Sequence, residues 1–308
     1  MYTVKLADLF VMMGVEWVNA LRPKVGTSEK FGRHTGMTDA RAPQELIVTM
    51  LGSYVRPRAE RSVWAGGLVA LLGELGYSEG AARIALARLV HRELLHRRKD
   101  GRRVHYTLTD RAIALLDDGD RRIFTLGRQR TEPGEWTLLW HNVPEDRRRE
   151  RERLVRRLRF LGFGTLGDGT WLTPHDREAE VVALLEELGI DGHAGLLRGR
   201  LTGSLDPATV IHRAWNLDEL GRRYTEFVRR FRGAATGRDA GALEEPAAFG
   251  IRTTLVHLFR QFPMLDPELP HDLVAPPRNR DEAVRLFDDL YATLAEPAQR
   301  HFDEVTKP

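Results

Sequence analysis

The chain has 308 residues, of which 42% are hydrophobic and 30% are charged, a composition typical of globular rather than disordered or membrane proteins. Its formal net charge is only +3, and the absence of cysteine excludes disulfides, thiolate zinc sites and cysteine nucleophiles. The length favours two or three domains. We therefore expect a cytoplasmic protein of several domains.

Residues 1–42 are interpreted as an N-terminal extension and linker. Residues 4–21 are fairly apolar, but Lys5 and Glu16 interrupt them, and no small-residue cleavage site follows. Residues 24–41 are rich in glycine, serine, threonine and arginine, which is typical of a linker. This segment is therefore predicted to be neither a membrane span nor a secretory signal.

Residues 78–108 change from a helical to a strand-like pattern midway. Ser78 is a favourable N-cap, and hydrophobic residues at helical spacing follow it as one stripe. The pair Asp100-Gly101 is predicted to be the turn between two strands, of which the second alternates hydrophobic and polar residues. A helix followed by such a hairpin is typical of a winged helix-turn-helix.

Neighbouring segments support this interpretation. Residues 43–55 and 64–75 are predicted helices, and Gly76 stands where the second helix needs a left-handed residue. A further helix is expected over 110–124, after the hairpin. Residues 43–127 are therefore predicted to be a winged-helix DNA-binding domain.

The predicted hairpin carries a concentrated positive charge. Residues 91–105 contain six arginine or lysine residues against two acidic ones. A wing that contacts DNA phosphates has this charge, although a solvated hairpin with a protected edge strand has it too. We favour DNA binding and predict these contact residues: Ser78, Arg83, Ala87, Arg88, His91, Arg97, Arg98, Lys99, Arg102, Arg103 and His105.

The rest of the chain divides into two segments of different character. Alternating strands and helices predict a central ferredoxin-like α+β domain over residues 128–205, and helices alone predict a C-terminal helical domain over 206–308. The fold class is therefore multidomain α+β. The expected central strands are 136–143, 169–173 and 195–201, and the expected helices are 147–160, 176–188, 215–232, 246–262 and 281–294.

The predicted helix at 147–160 carries eight arginines and two acidic residues. It is interpreted as a solvated face, a contact to the DNA backbone or a cradle for an anionic effector. Asp146, Glu150 and Glu152 raise the alternative of a metal-dependent nucleic-acid-processing enzyme that acts through the central domain. We prefer local ion pairs such as Glu152 with Arg156, because a metal needs carboxylates that converge from different elements. No catalytic residue, metal or cofactor is predicted.

Short motifs in all three predicted domains resemble those of one family. They are Ser78-Glu79 with Arg83, Gly101-Arg102-Arg103 before Tyr106, Trp136-Thr137-Leu138-Leu139, Leu161-Gly162-Phe163-Gly164, Trp215-Asn216-Leu217-Asp218 and Leu265-Asp266-Pro267. Over residues 43–295 the chain is similar to the PaaX family of bacterial transcriptional repressors. The resemblance implies a homodimer that binds a palindromic operator of a catabolic operon. It also implies release by an aryl-acyl-coenzyme A effector.

The 200 residues after Leu108 exceed what DNA binding requires, which favours an additional ligand-sensing function. The phosphates of a coenzyme A thioester need cations, and its acyl group needs apolar contacts. Aromatic residues at helical spacing are, however, also typical of a core. The predicted effector-binding residues are Arg148, Arg149, Arg156, Trp215, Tyr224 and Phe227. The chain departs from the family pattern in its N-terminal extension and at Gly80, where a basic residue is common.

Overall fold

The computed structural model describes residues 42–58, 61–128, 134–201, 206–236 and 243–308. The predicted N-terminal extension, except for residue 42, lies outside the described residues. The chain forms two compact units. One unit, called here the hairpin unit, contains the described residues within 42–120, 231–259 and 286–308. Residues 121–230 and 260–285 contribute to the other, called the central unit.

The hairpin unit begins with helices and a small sheet. Its elements are α1 (Ala42–Met50), which continues as a π-helical turn (Leu51–Val55), β1 (Ser62–Trp64), α2 (Ala65–Glu74), α3 (Glu79–His91), β2 (Leu95–Asp100), β3 (Arg103–Leu108) and residues 110–120 of α4 (Asp110–Thr125). The strands pair antiparallel in the order β1-β3-β2. These bounds confirm the predicted helices and hairpin. Strand β1 was not predicted, because three residues are too few to show an alternating pattern.

The hairpin turn lies one residue later than predicted. Asp100 pairs with Arg103 in the strand ladder, so Gly101 and Arg102 form the turn. Gly101 has a φ of 58°, in the left-handed region that glycine adopts without steric cost. The predicted turn Asp100-Gly101 is therefore wrong by one position, since Asp100 extends β2.

The central unit contains a four-stranded sheet with two helices between its strands. Its elements are β4 (Trp136–His141), a short 3-10 turn (Glu145–Arg147), α5 (Arg148–Phe160), β5 (Gly164–Gly167), β6 (Thr170–Thr173), α6 (Glu178–Leu188), a second 3-10 turn (Asp191–His193), β7 (Ala194–Gly199) and α7 (Pro207–Ala214). The strand order is β5-β6-β4-β7, and all neighbours are antiparallel. Strand β5 and helix α7 were not predicted. Strand β7 lies at an edge of this sheet.

The two faces of the central sheet pack against different elements. Side chains alternate between the faces along each strand. Leu139 and Trp171 point to the face that packs against α5 and α6. Trp136 and Leu172 point to the opposite face and pack with Ile211 of α7 and its neighbours. The sheet therefore separates α5 from α7.

The C-terminal segment is helical, as predicted. Its helices are α8 (Leu217–Thr236), α9 (Glu245–Phe259), α10 (Phe262–Leu265), α11 (Arg280–Thr293) and α12 (Ala295–Thr306). Residues of this segment are distributed over both units, and α9 and α12 belong to the hairpin unit. There, a Cβ atom on Gly67 of α2 would lie only 2.6 Å from the Cα atom of Thr306. Helices combined with two antiparallel sheets confirm the predicted α+β class.

Candidate nucleic-acid interface

Helix α3 buries one stripe of side chains and exposes the opposite one. The Ser78 hydroxyl accepts the backbone N–H of Ala81 at 3.3 Å, which confirms the predicted N-cap. The buried stripe consists of hydrophobic residues at helical spacing: Ala82, Ala85, Leu86 and Leu89. The exposed stripe, called here the α3 surface, consists of Gly80, Arg83, Ile84, Ala87, Arg88 and His91. The predicted contact residues of this helix therefore share one solvent-facing surface.

A left-handed residue directs the chain from α3 into the hairpin. Glu93 has a φ of 57°, and its N–H donates to the carbonyl oxygen of Val90 at 2.9 Å. The N–H of Leu94 donates to the carbonyl oxygen of Leu89 at 3.0 Å. Glycine usually occupies such a position at the end of a helix. These bonds fix the direction in which β2 leaves the helix.

The hairpin presents its cations to solvent. On β2 all residues from His96 to Asp100 are exposed, whereas Leu95 is buried. The strand lies at an edge of the three-stranded sheet. The exposed cations of the hairpin are Arg97, Arg98, Lys99, Arg102 and Arg103. The charge predicted from the sequence is therefore accessible to a polyanion.

The strand register divides these cations between two faces. Arg97 lies opposite Tyr106, on the face that also carries the buried Val63. Arg98 lies opposite His105, which itself pairs with Trp64. Opposed residues of an antiparallel ladder share a face, so Arg98 and His105 lie on the other side of the sheet from Arg97. The predicted contact residues thus cover the α3 surface, the turn and both hairpin faces.

Three exposed residues of α3 were not among the predicted contacts: Glu79, Gly80 and Ile84. Glu79 accepts hydrogen bonds from the Arg83 guanidinium, at 2.8 Å from Nε and 2.5 Å from Nη2. Ile84 is 55% exposed, although it is large and hydrophobic. Its place in the sequence shows that it is off the buried stripe, and this signal was available without a structure.

Helix α5 holds several of its arginines in intramolecular contacts. Glu152 pairs with Arg148 at 2.9 Å, whereas the sequence analysis paired it with Arg156. Just before the helix, Arg147 donates to the carbonyl oxygens of Leu188 and Gly189 at 3.0 and 2.6 Å. Part of the positive charge in this region is therefore held in local ion pairs and hydrogen bonds within the protein. Of the predicted effector-binding arginines, Arg148 and Arg149 are exposed and Arg156 is half-buried.

The predicted effector-binding aromatics lie away from those arginines. Trp215 is half-buried and packs near Trp136, with ring centroids 6.3 Å apart, on the sheet face opposite α5. Tyr224 is fully buried and stacks on Phe262 at a centroid distance of 4.0 Å. Phe227 is also buried and meets the Phe262 ring edge-on. Both rings therefore make core contacts, and the assignment of Tyr224 and Phe227 to effector binding stays a prediction.

Tyr224 also belongs to a buried polar cluster that was not predicted. Its hydroxyl donates to Asp266 Oδ2 at 2.7 Å, and Asp266 pairs with Arg280 at 2.8 Å. Arg280 also contacts Glu268 at 3.1 Å, and Glu268 accepts the N–H of Gly127 at 2.9 Å. Burial, followed by the Asp266 carboxylate, raises the pKa of Tyr224 well above its usual value. The phenol is therefore a neutral donor that ties distant segments of the central unit together.

The described residues contain no group of three or more histidine or carboxylate side chains placed to hold a metal ion. Within the same part of the chain, no helix is both long and apolar enough to cross a membrane.

Family models match the chain in three consecutive blocks. Residues 42–112 match a model described as PaaX-like protein, residues 129–211 match the PaaX protein central Cas2-like domain, and residues 215–304 match the PaaX-like protein C-terminal domain. The second block contains the central sheet. The first contains α3 and the hairpin.

Two known proteins are similar over most of the chain. The transcriptional repressor PaaX of Escherichia coli K12 is 28% identical over 258 residues, which cover 82% of this chain and 80% of the relative. The solved structure of the uncharacterized protein Rv0674 from Mycobacterium tuberculosis has a TM-score of 0.52 and 23% identity, over 85% of this chain and 97% of that one. At this identity the structural likeness shows a shared fold. Together with the three matching blocks, these findings show that the chain belongs to the PaaX family.

Proposed function

We propose that this protein is a cytoplasmic DNA-binding transcriptional regulator that represses a catabolic operon. The observation that carries the proposal is the exposed stripe of α3 directly followed by a hairpin with solvent-facing cations. A helix surface of this kind fits the major groove, and a basic hairpin fits the adjacent phosphates. The similarity to a transcriptional repressor supports the same function.

The proposed architecture has three parts. Helices α1 to α3 with the β1-β3-β2 sheet form a winged helix-turn-helix, in which α3 is the recognition helix. The β-α-β-β-α-β order and the strand order β5-β6-β4-β7 support a ferredoxin-like central domain. We retain residues 43–127, 128–205 and 206–308 as the proposed sequence domains. In the sequence, the proposed central domain lies between the proposed DNA-binding residues and the C-terminal helices.

The proposed contacts divide into two classes. Arg83, near the N-terminal end of α3, contributes to base recognition together with Ala87 and Arg88. Arg102 and Arg103, at the hairpin turn, contact phosphates and contribute little to sequence preference. The remaining proposed residues contact the DNA backbone: Ser78, His91, Arg97, Arg98, Lys99 and His105.

We propose that the regulator acts as a homodimer on a palindromic operator. One winged helix alone covers a small DNA interface, and two copies related by a two-fold axis match two half-sites. An exposed apolar patch in the central unit supports a contact between copies. Trp140 and Leu197 are 46% and 48% exposed, and both lie on the sheet face that carries Leu138. Strand β7, which carries Leu197, is an unpaired edge within the described sheet.

The proposed effector is an aryl-acyl-coenzyme A thioester, whose phosphates would bind the exposed arginines of α5. Arg148 and Arg149 are accessible for this, and Arg156 lies further along the helix. Trp215 lies across the sheet, so an acyl subsite at Trp215 would be separate from these arginines. A thermal-shift screen of acyl-coenzyme A esters should identify a compound that both stabilises the protein and releases DNA. Stabilisation without release would contradict the inducer role.

Footprinting on the DNA that flanks the protein's own gene tests the proposed function. We expect two protected half-sites separated by about one or more helical turns. Incubation of labelled DNA with the purified protein and magnesium or manganese should leave the DNA intact. Cleavage would instead support the nucleic-acid-processing alternative, and the absence of any protected site would contradict specific DNA binding.

A further inference from the structure

The α3 surface has a hydrophobic side chain at its centre. Ile84 is 55% exposed and lies between Arg83 and the next turn of the helix, which carries Ala87 and Arg88. The other exposed large hydrophobic residues in the described part of the chain are Trp140, Val182 and Leu197, all in the central unit. Ile84 is therefore the exception within the hairpin unit.

The neighbours of Ile84 leave it projecting from the helix. Gly80 stands one turn earlier on the same face, and a Cβ atom there would meet nothing within 4 Å apart from its chain neighbours and the backbone of its own helix. Ala87, one turn later, is also small. The branched side chain is therefore flanked by small residues along the helix, and the charged Arg83 and Arg88 lie beside it. A partner without an apolar group at this position would leave the projecting side chain without an apolar contact.

We infer that Ile84 reads a thymine by contacting its C5-methyl group in the major groove. Thymine is the base that presents a methyl group there, and apolar side chains recognise it by direct contact. The flanking cations hold the helix against the phosphates and bases, which places an uncharged residue between them at the groove floor. This inference depends on the proposed function, because it requires α3 to enter the groove. It assigns one thymine in each half-site to one side chain.

The predicted effect of the methyl group is small but measurable. Burial of one methyl group stabilises a contact by ~0.8 kcal/mol, which corresponds to about a fourfold change in the dissociation constant. Replacement of thymine by deoxyuridine removes only this methyl group and preserves base pairing. The comparison therefore isolates the Ile84 contact from hydrogen bonding and from phosphate contacts.

The test uses the full chain and a duplex selected from a random library by the wild-type protein. Each thymine of the selected site is replaced in turn by deoxyuridine. The affinity for each of these duplexes is then measured for the wild type, Ile84→Ala and Val182→Ala. Val182 is an exposed branched residue of α6 and is the matched control. We expect about a fourfold loss at one thymine per half-site for the wild type and Val182→Ala, and no loss there for Ile84→Ala.

Three results would overturn the inference. Wild-type protein that binds the selected site but is insensitive to every deoxyuridine would leave DNA binding intact and remove the thymine contact. A deoxyuridine effect that persists in Ile84→Ala would assign the contact to another residue. A library that yields no selected site would contradict the proposed function together with the inference. Far-UV circular dichroism verifies that both variants keep the wild-type helix content.

Discussion

The Arg83 guanidinium lies 2.5 Å from the Glu79 carboxylate one turn earlier on α3, and both side chains are about two-thirds exposed. The proposed base-reading residue is thus held by an acidic neighbour in the absence of DNA. Exposed pairs of this kind contribute little to stability, so DNA can displace Glu79 at low cost.

Glu79→Gln should strengthen binding to the operator. The substitution removes a negative charge near the phosphates and releases Arg83, and the ~0.2–1 kcal/mol of an exposed pair corresponds to a gain of up to about fivefold. Fluorescence anisotropy at several salt concentrations measures the effect. Glu152→Gln is the matched control, because it releases Arg148 from a similar pair on α5. An equal gain in DNA affinity in both variants would show that the effect is not specific to Glu79.

Glu93→Gly should stabilise the protein by about 0.5–1 kcal/mol, because glycine adopts the left-handed backbone without steric strain. Glu93 is 81% exposed and lies 3.5 Å from Arg111, so the loss of this ion pair costs little. Urea denaturation measures the free energy of unfolding. Glu93→Ala keeps the Cβ atom and should give no such gain; equal stabilisation by alanine would assign the effect to charge.

Leu197→Glu should weaken the proposed homodimer. A carboxylate on the exposed face of β7 would have to be buried against the second copy, and a cost of ~1.4 kcal/mol already raises the dissociation constant tenfold. Sedimentation velocity over a concentration series measures the shift. Val182→Glu, at an exposed position of α6, is the control. Unchanged association of the Leu197 variant would exclude this patch from the interface.

Acidification should destabilise the protein through His175. Burial is the main cause that lowers the pKa of this histidine, while its hydrogen bond to the Pro267 carbonyl oxygen acts in the opposite direction. The unfolded chain therefore binds the proton first as pH falls through the ordinary histidine pKa of about 6.5. The contribution of the neutral His175 to stability is therefore fully present above this pH and declines below it.

His175→Gln should lose less stability than the wild type between pH about 7.5 and about 5.5, since glutamine has no proton to gain in this range. Urea denaturation at both pH values provides the comparison. Other titrating groups are common to both proteins, so the difference reports His175. Equal losses would show that this histidine does not contribute.

Local patterns predicted helix α3 and the hairpin well. The stripe of Ala82, Leu86 and Leu89 identified α3, and Ser78 and Gly76 marked the boundaries that the structure confirms. These signals depend on residues close together in sequence. The predicted turn was wrong by one residue, because aspartate is compatible both with a turn and with the end of a strand.

Long-range arrangement could not be derived in the same way. The arginines of α5 and Trp215 were expected to form one site, but the central sheet separates them. Helical spacing around Tyr224 does not reveal Asp266 and Arg280 as its partners, because these residues are distant in sequence. The packing of α12 in the hairpin unit depends on the close approach at Gly67, which no local pattern indicates.

The most direct measurement compares Arg83→Ala with Arg102→Ala on the footprinted operator and on random DNA. We predict that Arg83→Ala costs about 1–3 kcal/mol on the operator and little on random DNA. Arg102→Ala should weaken both and reduce the salt dependence of binding by about one unit of slope. Equal losses on both DNAs for Arg83→Ala would contradict the assignment of α3 as the base-reading helix.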